Sequence, residues 1–186
     1  MAVKDSLSMT QDAMTAPSAT ENKSGKLIWL WLSLLVVGLD QISKQLATAF
    51  LEYARPVELL PVFDLTLLHN TGAAFSFLAS AGGWQRWFFA LLAAGVSVVL
   101  IVWLKRLKAH ETWLAIALAL VLGGALGNLY DRVVLGYVVD FISVHYQRHY
   151  FPAFNLADSG ITIGAVMLII DTVWLSRKSA SGNENE

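Results

Sequence analysis

The chain contains no cysteine. Disulfides, thiolate nucleophiles and cysteine-based metal sites are therefore excluded, although this absence says nothing about compartment. Charge is scarce too: 15% of the 186 residues are Asp, Glu, Lys or Arg, against roughly 25% in an ordinary soluble domain. The net charge of -1 gives no reason to invoke nucleic acid. No His-Glu-x-x-His pair, no Gly-x-Ser-x-Gly elbow and no internal repeat occurs. What remains is apolar: 56% hydrophobic residues, 7 Trp and 9 Phe, with a mean hydropathy of +0.56. Long apolar runs consume most of the length and leave no room for a separate soluble catalytic domain, which points to a polytopic membrane protein.

Residues 1–25 are rich in Ser, Thr, Ala, Lys and Asp and bury too little apolar surface to offset ordering, so they read as a disordered tail. A four-helix transmembrane domain is expected over 26–178, with spans at about 27–51, 84–104, 112–130 and 159–175, and a second tail over 179–186. A rival reading of the first span is a cleaved secretory signal, because Ala47-Thr48-Ala49 imitates a processing site; Asp40 and Lys44 interrupt that apolar region. The loops are 52–83 and 131–158. In the first, Asn70-Thr71-Gly72 between two apolar or aromatic runs reads as a turn joining strands, so a small β element is expected on the membrane surface. Gly123, Gly124 and Gly127, then Gly160 and Gly164, give small-residue spacings suited to close helix contact. Trp84, Trp87, Trp103, Trp113 and Trp174 fall near span ends as interfacial anchors. Lys23 and Lys26, then Lys105, Arg106 and Lys108, then Arg177 and Lys178 put both termini and the central loop in the cytoplasm by the positive-inside rule. Asn70, Asn128, Asp140 and Asp158 then converge on the opposite half.

Ionisable groups at the edge of a bilayer are costly and mark functional sites. Asp140 lies in the strand-like run 137–142, and Asp158 immediately precedes the fourth span. A hairpin closing between them could bring the two carboxyls together; two such groups in a poorly hydrated site share one proton, the arrangement of an aspartic peptidase. Structural alternatives stand beside this. Asp158 could be the N-cap of the fourth helix, Asp131 and Arg132 an ordinary span terminus, and Asn70, Asn128 and Asn155 partners for exposed backbone. Asp40 and Lys44, at i and i+4, could pair on one helix face or orient something at the site. His145 and His149 have a spacing that would suit a metal on a helix, but no further ligand accompanies them, and no metal or other cofactor is expected. Ser43-Lys44 is the one trace of a Ser-Lys mechanism. Two other classes are a proton-coupled transporter relaying through Asp40, Lys44 and Asp131, and a non-enzymatic assembly factor. The presenilin-type pattern lacks its Gly-x-Gly-Asp partner.

Five blocks, taken in order, change the level of specificity: Asp40-Gln-Ile-Ser-Lys44, Asn70-Thr-Gly-Ala-Ala-Phe75, Gly127-Asn128-Leu-Tyr-Asp131-Arg132, Gly136-Tyr-Val-Val-Asp140-Phe141 and Phe154-Asn155-Leu-Ala-Asp158. In these the chain resembles the type II, or lipoprotein, signal peptidase family of bacterial inner-membrane aspartic peptidases, over essentially everything after the tail. The resemblance implies an all-α polytopic fold of four transmembrane helices with a small periplasmic β-cradle. It implies Asp140 and Asp158 as the catalytic dyad, Asn70, Gly72, Asn128, Arg132 and Asn155 as substrate-binding residues, and Asp40, Lys44 and Asp131 as supporting residues. The implied partners are lipid-modified prolipoprotein signal peptides, cut just before the lipid-bearing cysteine, the membrane lipid, and the cyclic peptide inhibitor globomycin. The extended tail of residues 1–25 is the one departure from the family pattern.

Overall fold

The computed structural model describes residues 26–72 and 83–182. The tail of residues 1–25, the second apolar run expected at 73–77 and the side chain of Trp174 lie outside what is described. A 3₁₀ turn, Lys26–Trp29, leads into helix α1, Leu30–Phe50, followed by α2, Trp84–Arg106, α3, Thr112–Val134, and α4, Leu156–Gly182. Among the described residues, four helical stretches are long and apolar enough to cross a membrane: Lys26–Phe50, Trp84–Arg106, Thr112–Val134 and Leu156–Val173. Leu34, Leu35, Leu39, Ile42 and Leu46 along α1 stay exposed, as a lipid-facing surface requires.

Helix α3 is the hub, packing on α1, α2 and α4. Against α2 it builds a core of Leu100, Leu104, Leu107, Leu118 and Leu122. Against α4 the small residues anticipated from the sequence bring backbones together, since a Cβ on Gly124 would collide with the Ala157 carbonyl oxygen. In lipid no hydrophobic force pulls helices together, so this close packing is what holds α3 to α4.

Between α1 and α2 lie strands β1, Val57–Leu60, and β2, Phe63–Asn70; between α3 and α4 lie β3, Val138–Tyr146, and β4, His149–Tyr150. They form one antiparallel sheet in the order β1-β2-β3-β4. The partners of β2 are β1, joined to it through Pro61 and Val62, and β3. His145 and His149 sit on the β3 and β4 strands, where Tyr146 pairs with His149, so their spacing presents no helical face; His145 instead stacks on Tyr150 and lies 3.3 Å from Asp64.

Besides α4 running on to Gly182, into the residues expected as a tail, two helix ends near the site differ from the expected ones. Helix α3 continues beyond residue 130, carrying Asp131 and Arg132 as helical residues, because its end is well capped. The Arg86 side chain donates to the carbonyls of Arg132 at 2.6 Å and Val133 at 2.8 Å, and the amides of Leu135 and Gly136 close on Asp131 O. Helix α4 begins at Leu156, so Asp158 lies within its first turn rather than before it.

Candidate active site

The sheet and the helix ends converge on the two sequence-predicted aspartates. Leu68 of β2 is opposite Asp140 of β3; Asn70, two residues on, shares that face and sits diagonal to Asp140. Its Nδ2 donates to Asp140 Oδ2 at 3.0 Å. The expected hairpin does close: Phe154 exchanges backbone hydrogen bonds with Ile142, Phe154 N to Ile142 O at 3.0 Å and Ile142 N to Phe154 O at 2.9 Å. The chain is thereby delivered to Asn155 directly beside β3.

Asn155 is fully buried, at 0% exposure, and its side chain joins both aspartates. Its Oδ1 accepts the Asp158 backbone N–H at 2.9 Å, while its own N–H donates to Asp158 Oδ2 at 3.3 Å. This reciprocal pair is a capping box. Asn155 is therefore the N-cap of α4 and Asp158 its N3 residue, which corrects the expectation that Asp158 itself caps. Asn155 Nδ2 donates at 2.7 Å to Asp140 Oδ1. The third asparagine, Asn128, donates to Asp158 Oδ1 at 2.7 Å. Every amide is held in one orientation by a group that can only donate: Gly72 N–H to Asn70 Oδ1 at 3.0 Å, Asp158 N–H to Asn155 Oδ1, and Lys44 Nζ to Asn128 Oδ1 at 3.0 Å.

Beneath the dyad lies an ionic cluster. Lys44, only 3% exposed, bonds Asp40 Oδ2 and Asp131 Oδ2, both at 2.8 Å. Asp40 also accepts the Ala157 N–H at 2.9 Å, and Asp131 accepts the Val139 N–H at 3.1 Å. Each carboxylate thus ties the cluster to an element bearing a dyad aspartate. A Cβ at Gly127 would fall 2.6 Å from Asp40 Oδ2, so only glycine allows this approach. Arg132 spans the site edge: its guanidinium reaches Gly72 O at 3.2 Å and Asn128 O at 3.2 Å, and lies 5.4 Å above the Phe89 ring.

Asp140, 3% exposed, is pushed up to about 7, first by burial and then by the neighbouring Asp158 charge, against the opposing bonds from Asn70 and Asn155. Two clefts meet here. One, of about 510 Å³, runs from Asn128, Arg132 and Asp158 down α4 past Thr162 and the exposed Ile163. The other, of about 590 Å³, lies over the sheet at Asp140, Thr66, His69 and Tyr150. Two carboxyls joined through Asn155, beside an apolar groove and a second cleft of more mixed lining, are an arrangement that water-assisted hydrolysis of an extended, half-apolar substrate could use.

All ten residues singled out in the sequence, Asp40, Lys44, Asn70, Gly72, Asn128, Asp131, Arg132, Asp140, Asn155 and Asp158, belong to this one connected network. Two contributors were missed. Gln41 donates to Asp131 Oδ1 at 2.8 Å; it stands beside Asp40 inside the first block. Arg86 caps α3; a lone cation at the start of an otherwise apolar span was its signal.

Comparison with known proteins gives concordant matches. The family described as signal peptidase (SPase) II, peptidase family A8, matches residues 32–174. A lipoprotein signal peptidase of Pseudomonas putida is 61% identical over 165 residues, covering 88% of this chain and 96% of its own. One from Pseudomonas aeruginosa is 64% identical over 160 residues, covering 85% and 94%. Among solved structures, one described as a bacterial membrane enzyme superposes with a TM-score of 0.70 at 31% identity over 78% of this chain and 87% of that one.

Proposed function

The chain belongs to the signal peptidase II family of aspartic peptidases, and from that premise we propose that it removes signal peptides from diacylglyceryl-modified prolipoproteins by activating water between Asp140 and Asp158. The cut falls on the N-terminal side of the lipidated cysteine. The observation that carries this reading is the Asn155 side chain, which donates to Asp140 Oδ1 and accepts from the Asp158 N–H, tying both aspartates to one cleft.

At working pH the pair holds one proton. The ionised carboxylate removes a proton from water as the water oxygen bonds to the scissile carbonyl carbon; the protonated carboxyl donates to the carbonyl oxygen. Collapse of the tetrahedral intermediate breaks the C–N bond, and a proton passes to the departing cysteine nitrogen. No covalent enzyme intermediate forms. Asn70, Gly72, Asn128, Arg132 and Asn155 shape the cleft around the peptide, while Asp40, Lys44 and Asp131 hold the helices beneath it.

The substrate class suits the site. Each acyl methylene contributes about 0.8 kcal/mol to membrane attachment, so a diacylated cysteine is held at bilayer depth and binding becomes a two-dimensional search. The groove along α4 opens beside exposed Ile163 and admits an apolar signal helix from the lipid. In this reading the enzyme is a multi-pass protein of the bacterial inner membrane, its termini are cytoplasmic, the sheet is periplasmic, and globomycin binds across the dyad. The test is cleavage of a lipidated precursor in detergent: Asp140→Asn and Asp158→Asn should each lower kcat by roughly 10³-fold or more, with the thermal midpoint retained. Full activity in either variant ends the dyad reading.

A further inference from the structure

We propose that Lys44 is a positioning residue that acts through the Asn128 side chain, fixing Asp158 as the ionised, water-activating member of the pair and leaving the proton on Asp140. The inference rests on the dyad reading above. An ammonium has three donors and no acceptor, and Lys44 uses all of them: on Asp40 Oδ2, Asp131 Oδ2 and Asn128 Oδ1. The Asn128 oxygen must therefore face Lys44, and its NH₂ must face Asp158 Oδ1. The other Asp158 oxygen faces the Asn155 backbone N–H. Both oxygens of Asp158 consequently meet donors, and neither meets a group that could accept a proton from it.

Asp140 also meets a donor at each oxygen, Asn70 Nδ2 on Oδ2 at 3.0 Å and Asn155 Nδ2 on Oδ1, but neither amide is anchored by a charge. Asn155 Nδ2 is moreover divided among three acceptors, Asp140 Oδ1 at 2.7 Å, Asn128 Oδ1 at 3.2 Å and Val139 O at 3.2 Å. Asp158 also occupies the first turn of α4, where aligned backbone dipoles favour a negative charge, whereas Asp140 lies in a strand without such a field. The charged groups facing Asp158 are Asp140 from β3, Lys44 and Asp40 from α1, and Arg132 from α3, itself next to Asp131. Lys44 reaches the Asp158 carboxylate through one oriented side-chain amide, whereas the amide that links Asp140 to Asp158 meets only the Asp158 backbone N–H. The rise of Asp140 to about 7 agrees with a proton resting there.

The experiment compares Lys44→Met with Lys44→Gln in cleavage of a lipidated precursor across pH. Both remove the charge, but only glutamine keeps an NH₂ able to hold the Asn128 oxygen. Lys44→Met is expected to lower kcat about 100-fold with KM little changed and to move the acid limb of the rate profile to higher pH, because an inverted amide presents an oxygen to Asp158. Lys44→Gln should recover about 10-fold of that loss and move the limb less. Equal activities and an unmoved limb in both variants would mean that Lys44 only neutralises its neighbours, and the inference fails. Should neither variant fold, Asn128→Asp serves: it keeps the acceptor for Lys44 and removes the donor to Asp158, so an acid limb unchanged from wild type overturns the proposal. Because wild-type cleavage and the two Asp→Asn variants are run alongside, failure of the Lys44 assignment is distinguishable from failure of the dyad.

Discussion

Asp140 holds its proton to about 7 because it is buried and adjoins another carboxyl, and the direction of that rise determines two pH dependences. Below about 7 the group is neutral and can donate to the scissile carbonyl; above it the donor is lost, so kcat/KM for a lipidated precursor should fall on the alkaline side of a limb near pH 7. The residual activity of Asp140→Asn should lack that limb. Stability follows the same sign. A carboxyl whose folded value exceeds its ordinary 3.8 binds a proton more tightly in the native state, so its contribution is complete below 3.8 and is lost as pH rises through about 7. Thermal midpoints in detergent should therefore decline between pH 5 and pH 8 more in wild type than in Asp140→Asn, as roughly one group's linkage demands. An equal decline in both proteins would place the titrating group elsewhere.

At the scale of elements, Asn155 does two jobs that can be separated, capping α4 through its oxygen and bonding Asp140 through its NH₂. Serine caps helices about as well as asparagine, whereas alanine costs about 1 kcal/mol at an N-cap. Asn155→Ser should thus keep a thermal midpoint above that of Asn155→Ala, while both lose activity by about 100-fold since neither reaches Asp140. A serine variant with near-wild-type turnover would dissociate the amide from the chemistry. This division of labour was half legible in the sequence. Polar residues stand out in an apolar chain, which is why ten members of the network could be named from the five blocks, while Gln41 and Arg86 were not. Their roles depend on what meets them across the fold, and that was not legible. Asp158 offers itself as an alternative cap because it precedes an apolar run, but the turn that frees the Asp158 carboxylate is closed by Asn155 three residues earlier. Likewise the end of α3 reads from hydropathy as residue 130, and it extends further because Arg86, 46 positions away in sequence, satisfies the Arg132 carbonyl. Helix existence and small-residue spacing are local properties; caps and ion partners are not.

For the molecule as a whole, chemistry and charge are segregated along the helix axes. Lys26 Nζ bonds Thr112 Oγ1 at 3.1 Å, putting the starts of α1 and α3 at one end, where Lys105, Arg106 and Lys108 also fall. Lys44, which the Asn128 amide links to Asp158, lies 18 residues beyond Lys26, about 27 Å at 1.5 Å per residue, close to the thickness of a hydrocarbon core. Cations retained on the cytoplasmic side would therefore carry the sheet and the carboxyl pair to the outer face, where exported precursors and water both arrive. The cysteine-free chain makes this directly testable, because any introduced thiol is unique. Glu58 on β1 and Lys108 between α2 and α3 are both exposed. In intact inner-membrane vesicles of known sidedness or in spheroplasts, Glu58→Cys should react with a membrane-impermeant maleimide from outside, and Lys108→Cys only after permeabilisation. The reverse pattern would put the dyad on the cytoplasmic face, where a precursor anchored in the outer leaflet cannot present its lipidated cysteine, and the proposed substrate would have to be abandoned even if the carboxyl pair proved catalytic.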